Sequence, residues 1–241
     1  MSILLEVIAT TVADARIVAQ AGADRIELVT AMGEGGLTPS IGLIEAVVAA
    51  VRIPVNVIVR PHSRSFVYDG DDCAVMLRDV RAVKAAGANG IVIGMLNADG
   101  TIDREGLARA IDAADGLAIT FHRAFDETRD LREALDLLLE FDAVTNVLTS
   151  GGKPSVLHAD VALRELLQQA RGSHCTVLAG AGLTVDAVAG FVRRTGVEAV
   201  HFGSGVRIGG KGLAPVDTAK VAQVRALLNA NADDIGAAGI A

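Results

Sequence analysis

Apolar runs and amphipathic stretches alternate eight times along this chain, and so regular an alternation restricts it to α/β architectures. Strands are expected over Leu4–Ala9, Asp24–Thr30, Pro54–Arg60, Gly90–Leu96, Leu117–His122, Ala143–Ser150, Thr176–Ala181 and Ala199–Ser204. Helices are expected between them: from the Thr10-Thr11 cap to Gly22, from Ser40, over Asp71–Ala86, from Asp103, over Leu131–Phe141, from Ala159 or Asp160, from the cap Thr184, and over Asp217–Leu228. Beyond Asn229 the chain is rich in Ala, Gly and Asp, so 1–229 reads as one domain and 230–241 as a flexible tail.

A weak internal repeat supports the count. Ala-Gly-Ala-Asp-Arg-Ile-Glu-Leu (21 to 28), Ala-Gly-Ala-Asn-Gly-Ile-Val-Ile (86 to 93) and Thr-Gly-Val-Glu-Ala-Val-His-Phe (195 to 202) share a glycine that ends a helix, a small residue and a strand. Gly22, Gly87 and Gly196 are placed to adopt the left-handed conformation that closes a helix. They precede the second, fourth and eighth strands, as in a barrel built from two-strand units.

Such a chain closes into a barrel or spreads into a doubly wound open sheet. An open sheet carries its dinucleotide-binding glycines after the first strand, where this chain has Ala9-Thr-Thr-Val12. The expected fold class is therefore α/β, a single-domain (β/α)₈ TIM barrel, and 241 residues is close to the usual size of about 250. Apolar residues make up 51% and aromatics only 3%, so the core is Val, Ile, Leu and Ala, the filling of a parallel sheet buried on both faces.

The 22 Lys plus Arg against 29 Asp plus Glu leave a net charge of −7, with the basic residues scattered. No nucleic-acid partner is expected. No apolar run approaches the roughly 18 residues of a membrane span, and no signal-like segment opens the chain, so no membrane partner is expected either. Cys73 and Cys175 stand far apart with no Cys-x-x-Cys pair, which reads as a reduced, cytoplasmic protein.

Parallel barrels keep their chemistry at the C-terminal ends of the strands. The run Thr120-Phe-His-Arg-Ala-Phe-Asp126 delivers His122, Arg123 and Asp126 to such an end, Arg60 closes the third strand, and His201 lies near the end of the eighth. Alternation along the strands turns Glu6, Glu27, Asn56 and Arg60 into the barrel. Two readings follow. One is a buried Glu–Arg network in which Glu27 pairs with Arg25 or Arg60. The other makes Glu6 or Glu27 a general base raised by burial, with His122 as its partner acid.

Thr149 and Ser150 end the sixth strand, Gly180 and Gly182 follow the seventh, and Gly203 and Ser204 follow the eighth. Barrels build phosphate sites there from backbone N–H groups, so these six residues are the candidate anion site. A small anionic ligand is expected between Arg60 and His122, taken as two cationic groups across the mouth. His62, His158 and His174 read as solvated surface.

Schiff-base chemistry is not expected, because among Lys84, Lys153, Lys211 and Lys220 only Lys153 falls near the mouth, in a loop. Glu6, Glu27, His122 and His201 are a mixed carboxylate and imidazole set, but no local spacing fixes a metal, so the metal site is unknown.

The segments Leu5-Glu-Val, Gly22-Ala-Asp-Arg-Ile-Glu-Leu28, Glu34-Gly-Gly-Leu-Thr-Pro-Ser40, Val59-Arg-Pro61, Thr120-Phe-His-Arg-Ala-Phe-Asp126, Leu148-Thr-Ser-Gly151 and Ala179-Gly-Ala-Gly182 together resemble the CutC family, from Leu5 to about Val206. The resemblance implies a cytoplasmic (β/α)₈ barrel, a homodimer or higher homo-oligomer, associated with copper homeostasis and copper binding. Where some members carry cysteines, this chain has Ile8-Ala-Thr-Thr11 and Val29-Thr-Ala31, so weak cuprous binding is expected. Three functions stand side by side: a copper-homeostasis protein, a barrel enzyme acting on a small anionic or phosphorylated metabolite through Glu6, Arg60 and His122, and a non-catalytic oligomeric scaffold.

Overall fold

Strands this short and this apolar are stable only when both faces are covered, one by helices and one by the side chains of the other strands. The computed structural model describes residues 2–238. In it the strands β1 (Leu4–Ala9), β2 (Arg25–Leu28), β3 (Val55–Ile58), β4 (Gly90–Ile93), β5 (Ala118–Phe121), β6 (Val144–Thr149), β7 (Thr176–Ala179) and β8 (Ala199–Phe202) pair in chain order, all parallel. β8 pairs back onto β1, with Glu6 opposite His201, and closes the barrel.

The helices are α1 (Val12–Gln20), α2 (Ile41–Ala50), α3 (Gly70–Ala85), α4 (Arg104–Ala114), α5 (Leu131–Leu138), α6 (Asp160–Gln169), α7 (Val185–Thr195) and α8 (Thr218–Ala238). Polar caps set most of their starts. Thr11 accepts from the Asp14 N–H, Ser40 from Leu43, Asp103 from Gly106 and Thr184 from Ala187. Asp69 and Asp72 form a capping box that starts α3 at Gly70, one residue before the expected start. Gly22, Gly87 and Gly196 have φ of +92°, +82° and +77°, the left-handed geometry the repeat required.

One alternating set of strand residues, including Leu5, Val7, Ile26, Val57, Ile91, Phe121 and Val177, packs outward into the main core with the helices. The opposite set fills the barrel. There Leu148, Leu178 and Ala199 form one small apolar layer and Val29, Ile58 and Val92 another, and the remaining inward positions carry the polar groups of the site.

The C-terminal end corrects the expected boundary. α8 does not stop at Leu228 but continues through Ala238, and Asn231 is buried, with its Oδ1 accepting from Arg193 Nη1 at 3.1 Å. The last helix is therefore longer than expected, and 239–241 lie outside the described residues. Among the described residues no helix is long and apolar enough to cross a membrane.

Candidate functional site

The barrel floor carries a chain of charge. Arg25 Nε donates to Glu6 Oε2 at 2.6 Å, His201 Nδ1 lies 2.8 Å from Glu6 Oε1, and His201 Nε2 lies 3.4 Å from Glu27 Oε2. Arg25 Nη2 also reaches across the barrel to Asn146 Oδ1 at 3.3 Å. Glu6, Glu27 and His201 are all buried. Burial pushes the Glu6 carboxyl up, but the Arg25 charge and the His201 hydrogen bond outweigh it and hold Glu6 below the usual carboxylate range. For Glu27 burial is the largest influence and, reinforced by the neighbouring Glu6 charge, outweighs the His201 and Arg25 charges and raises it to about 7. For His201 burial works downward, yet the Glu27 and Glu6 carboxylates more than offset it and raise the imidazole above its ordinary value. Of the two sequence readings, the network holds for Glu6, whereas Glu27 is the carboxyl that burial raises. Its partner is His201, not Arg25 or Arg60.

His122 stands apart from this chain. The Ala124 N–H donates to His122 Nδ1 at 3.1 Å, while His122 Nε2 is buried without a partner. Burial, with the Arg60 charge adding to it, lowers this imidazole to about 3. His122 is therefore neutral, which corrects one expectation: it is not a second cation beside Arg60. Gly94 makes its place, because a Cβ there would stand 2.5 Å from His122 Nδ1. Phe66, from the loop after β3, packs on His122 with ring centroids 4.9 Å apart and carries the Arg60 guanidinium 4.6 Å above its own ring. Gly94 and Phe66 were not singled out from sequence. Phe66 had one signal, an aromatic in the longest early loop after a strand-ending arginine.

Among the described residues Arg60 has no acidic partner. Its Nη1 donates to the carbonyls of Glu34 at 3.0 Å and Gly36 at 3.3 Å, and its buried Nε has none. Gly35 gives it room, since a Cβ there would lie 3.0 Å from Nη1.

Asp126 turns out to be a brace. It accepts from Thr149 Oγ1 at 2.5 Å, from the Ser150 N–H at 3.0 Å, from Ser150 Oγ at 2.8 Å and from the Gly152 N–H at 3.1 Å, and Arg123 Nε donates to it at 2.8 Å. Thr149 thus spends its hydroxyl on Asp126, and Ser150 gives its N–H to Asp126 and holds its hydroxyl between Asp126 and the Lys153 carbonyl, 2.5 Å away, so neither keeps a donor for an anion. Arg123 and Asp126 touch the cavity wall, but as a structural pair. Gly180 is corrected too. Its N–H donates to the Thr149 carbonyl at 3.0 Å, and a Cβ there would lie 2.7 Å from Leu148 Cδ1 and 3.1 Å from His201 Cβ, so it makes room for both side chains.

Gly182, Gly203 and Ser204 do reach the mouth, together with Gly205. Among the described residues no acceptor takes the backbone N–H of any of these four. A Cβ on Gly205 would stand 2.1 Å from the Leu183 carbonyl oxygen, so the loops after β7 and β8 pack backbone against backbone. All of this opens on one cavity of about 430 Å³, lined also by Glu27, Arg60, Phe66, His122 and His201. Behind it, Arg207 Nη1 donates to Asp14 Oδ2 at 3.1 Å and to the Ala214 carbonyl at 2.7 Å, and Nη2 donates to the Ile8 carbonyl at 3.2 Å. That buried pair ties the β8 loop to β1 and carries no pattern that sequence reasoning catches. Of the remaining histidines, His158 and His174 are exposed, whereas His62 is half-buried 3.0 Å from Asp72 and not freely solvated.

Fold and site together define a single-domain (β/α)₈ barrel with a charged, ligand-sized mouth at the C-terminal ends of its strands. The chain belongs to the CutC family, whose model matches residues 3–206. A CutC family protein of Caulobacter vibrioides is 42% identical over 83% of this chain and 80% of its own, and one of Pasteurella multocida is 37% identical over 85% and 83%. A solved CutC structure from Streptococcus agalactiae, named for copper homeostasis, superposes with a TM-score of 0.78 at 27% identity, covering 83% of this chain and 97% of that one. A barrel at lower identity, TrpF of Jonesia denitrificans (TM-score 0.64, 17% identical, 96% and 98% covered), shares the fold alone.

The donors at this mouth do not fit a cuprous ion. Such an ion favours thiolate and thioether ligands, but Cys175 is buried before β7, at the opposite end of the barrel, and Cys73 is half-buried on α3. Among the described residues Met32 brings the one sulfur that lines the cavity. Glu6, Glu27 and His201 bring ligand atoms within 4.8 Å of one another, yet Arg25 already neutralises Glu6 there.

Proposed function

We propose that this CutC-family barrel is an enzyme acting on a small anionic, phosphate-bearing metabolite. The observation that carries the proposal is Arg60: a buried guanidinium with no carboxylate partner and an unsatisfied Nε, lining the same cavity as the free N–H groups of Gly182, Gly203, Ser204 and Gly205. Buried cations are normally paired. A phosphate supplies both the charge and the acceptors, as it does at this end of many barrels. Free thiols at Cys73 and Cys175 support a cytoplasmic setting, and a homo-oligomer belongs to the same proposal.

Calorimetric titration with inorganic phosphate tests it. Wild type should bind saturably, and Arg60→Ala should weaken binding at least about tenfold, near 1.4 kcal/mol. The variant should stay folded, losing about 1 to 2 kcal/mol, because Arg60 holds two carbonyls and an aromatic face but no buried carboxylate. Equal phosphate affinity in the two proteins would end the proposal.

A further inference from the structure

Two groups of different chemistry face the same space. On one side is His122, whose tautomer the fold dictates. A backbone N–H can only donate, so the Ala124 N–H fixes Nδ1 as the acceptor and leaves the single ring proton on Nε2. That Nε2–H is buried and has no partner, and His122 is one of the residues that line the cavity. On another side is Glu27, whose carboxylate lines the cavity and is backed by the His201–Glu6–Arg25 chain. A fixed donor without an acceptor leaves a buried polar group unsatisfied, which is costly unless a ligand oxygen completes it.

We infer that His122 donates its Nε2–H to the carbonyl oxygen of a substrate while Glu27 removes the proton from the adjacent carbon, so that the site enolises a small phosphorylated ketone or aldehyde. This rests on the phosphate reading above and adds the reacting group. In the step, the Glu27 carboxylate takes the proton, the C–H pair becomes the carbon–carbon double bond, and the carbonyl π pair moves onto oxygen. The oxygen keeps its negative charge under the His122 hydrogen bond. Return of the proton from Glu27 to the same carbon regenerates the carbonyl compound, with no oxidant or reductant involved. A neutral imidazole suits the donor's task, because its remaining proton is a weak acid close in strength to an enol. An acceptor carboxyl near neutrality suits Glu27, which titrates at about 7. His201 stands 3.4 Å behind it, its imidazole raised above the ordinary value against burial by the Glu27 and Glu6 carboxylates.

The test uses the whole protein and two probes, inorganic phosphate and phosphoglycolohydroxamate, which mimics an enediolate. Wild type should bind the hydroxamate at least tenfold more tightly than phosphate. His122→Ala should erase that preference while leaving phosphate affinity within about twofold. Should that variant misfold, ¹⁵N-histidine spectra of the wild type decide: His122 should show a protonated Nε2 and a bare Nδ1, unchanged from pH 5 to 8. Exchange of carbon-bound hydrogen in dihydroxyacetone phosphate, followed in D₂O, should depend on Glu27 and vanish in Glu27→Gln. No phosphate binding to the wild type removes the anion site and this inference with it. Phosphate binding without hydroxamate preference, or a His122 that carries its proton on Nδ1 or titrates near 6.5, overturns the inference alone.

Discussion

Glu27 Oε2 and His201 Nε2 lie 3.4 Å apart on the barrel floor, and both groups hold protons more tightly in the folded protein than in an unfolded chain. A group of that kind stabilises the fold at low pH and loses its contribution as pH rises through the folded value, here about 7 for Glu27. His122, lowered to about 3, acts in the opposite sense, and its effect grows from pH 3 and is complete near pH 6.5. Above pH 6.5 the Glu27–His201 pair acts without that opposition. Urea unfolding should show the wild type losing about 1 kcal/mol more than Glu27→Gln between pH 6.5 and 8. Parallel pH profiles would mean that Glu27 is not raised.

Arg25 is the cation that makes a buried Glu6 tolerable, at 2.6 Å. Arg25→Met should cost about 3 to 5 kcal/mol, because it leaves the carboxylate with only His201. A loss below 1 kcal/mol, read from denaturant midpoints at constant slope, would show that Glu6 gives up its charge instead.

Asp126 gathers donors from Arg123, Thr149, Ser150 and Gly152. Asp126→Ala should destabilise the protein by about 3 kcal/mol and speed amide exchange at Ser150 and Gly152 more than tenfold. Unchanged exchange at both amides would contradict a bracing role.

Copper titrated as Cu(I) against a competing chelator should reveal no tight stoichiometric site, since the cavity offers Met32 but no thiolate. Cys73→Ser and Cys175→Ser should leave the curve where it was. A tight site abolished by either change would restore copper to the mouth.

The barrel was legible because every strand and most caps announce themselves locally: Thr11, Ser40 and Thr184 cap where the residue pattern puts them. Inward-facing Glu6, Glu27, Arg60 and His122 were legible from alternation and strand-end position. Partners were not, because they depend on which strands meet across the barrel. Nothing local tells Glu27 that its neighbour is His201 of β8, or tells Asp126 that it receives Ser150. The glycines show the same limit. Gly180 and Gly182 look alike in sequence, but one makes room for Leu148 and His201 and the other lines the cavity. Asn231 was read as tail because Ala, Gly and Asp surround it, while its side-chain bond to Arg193 of α7 is visible only in three dimensions.

The most direct measurement is a crystal structure of the protein soaked in inorganic phosphate. Phosphate should lie within hydrogen-bond reach of the Arg60 guanidinium and of the N–H groups of Gly203, Ser204 and Gly205, inside the cavity that His122 and Glu27 line. Full-occupancy phosphate at other sites, with none at Arg60, would contradict an anion-binding mouth.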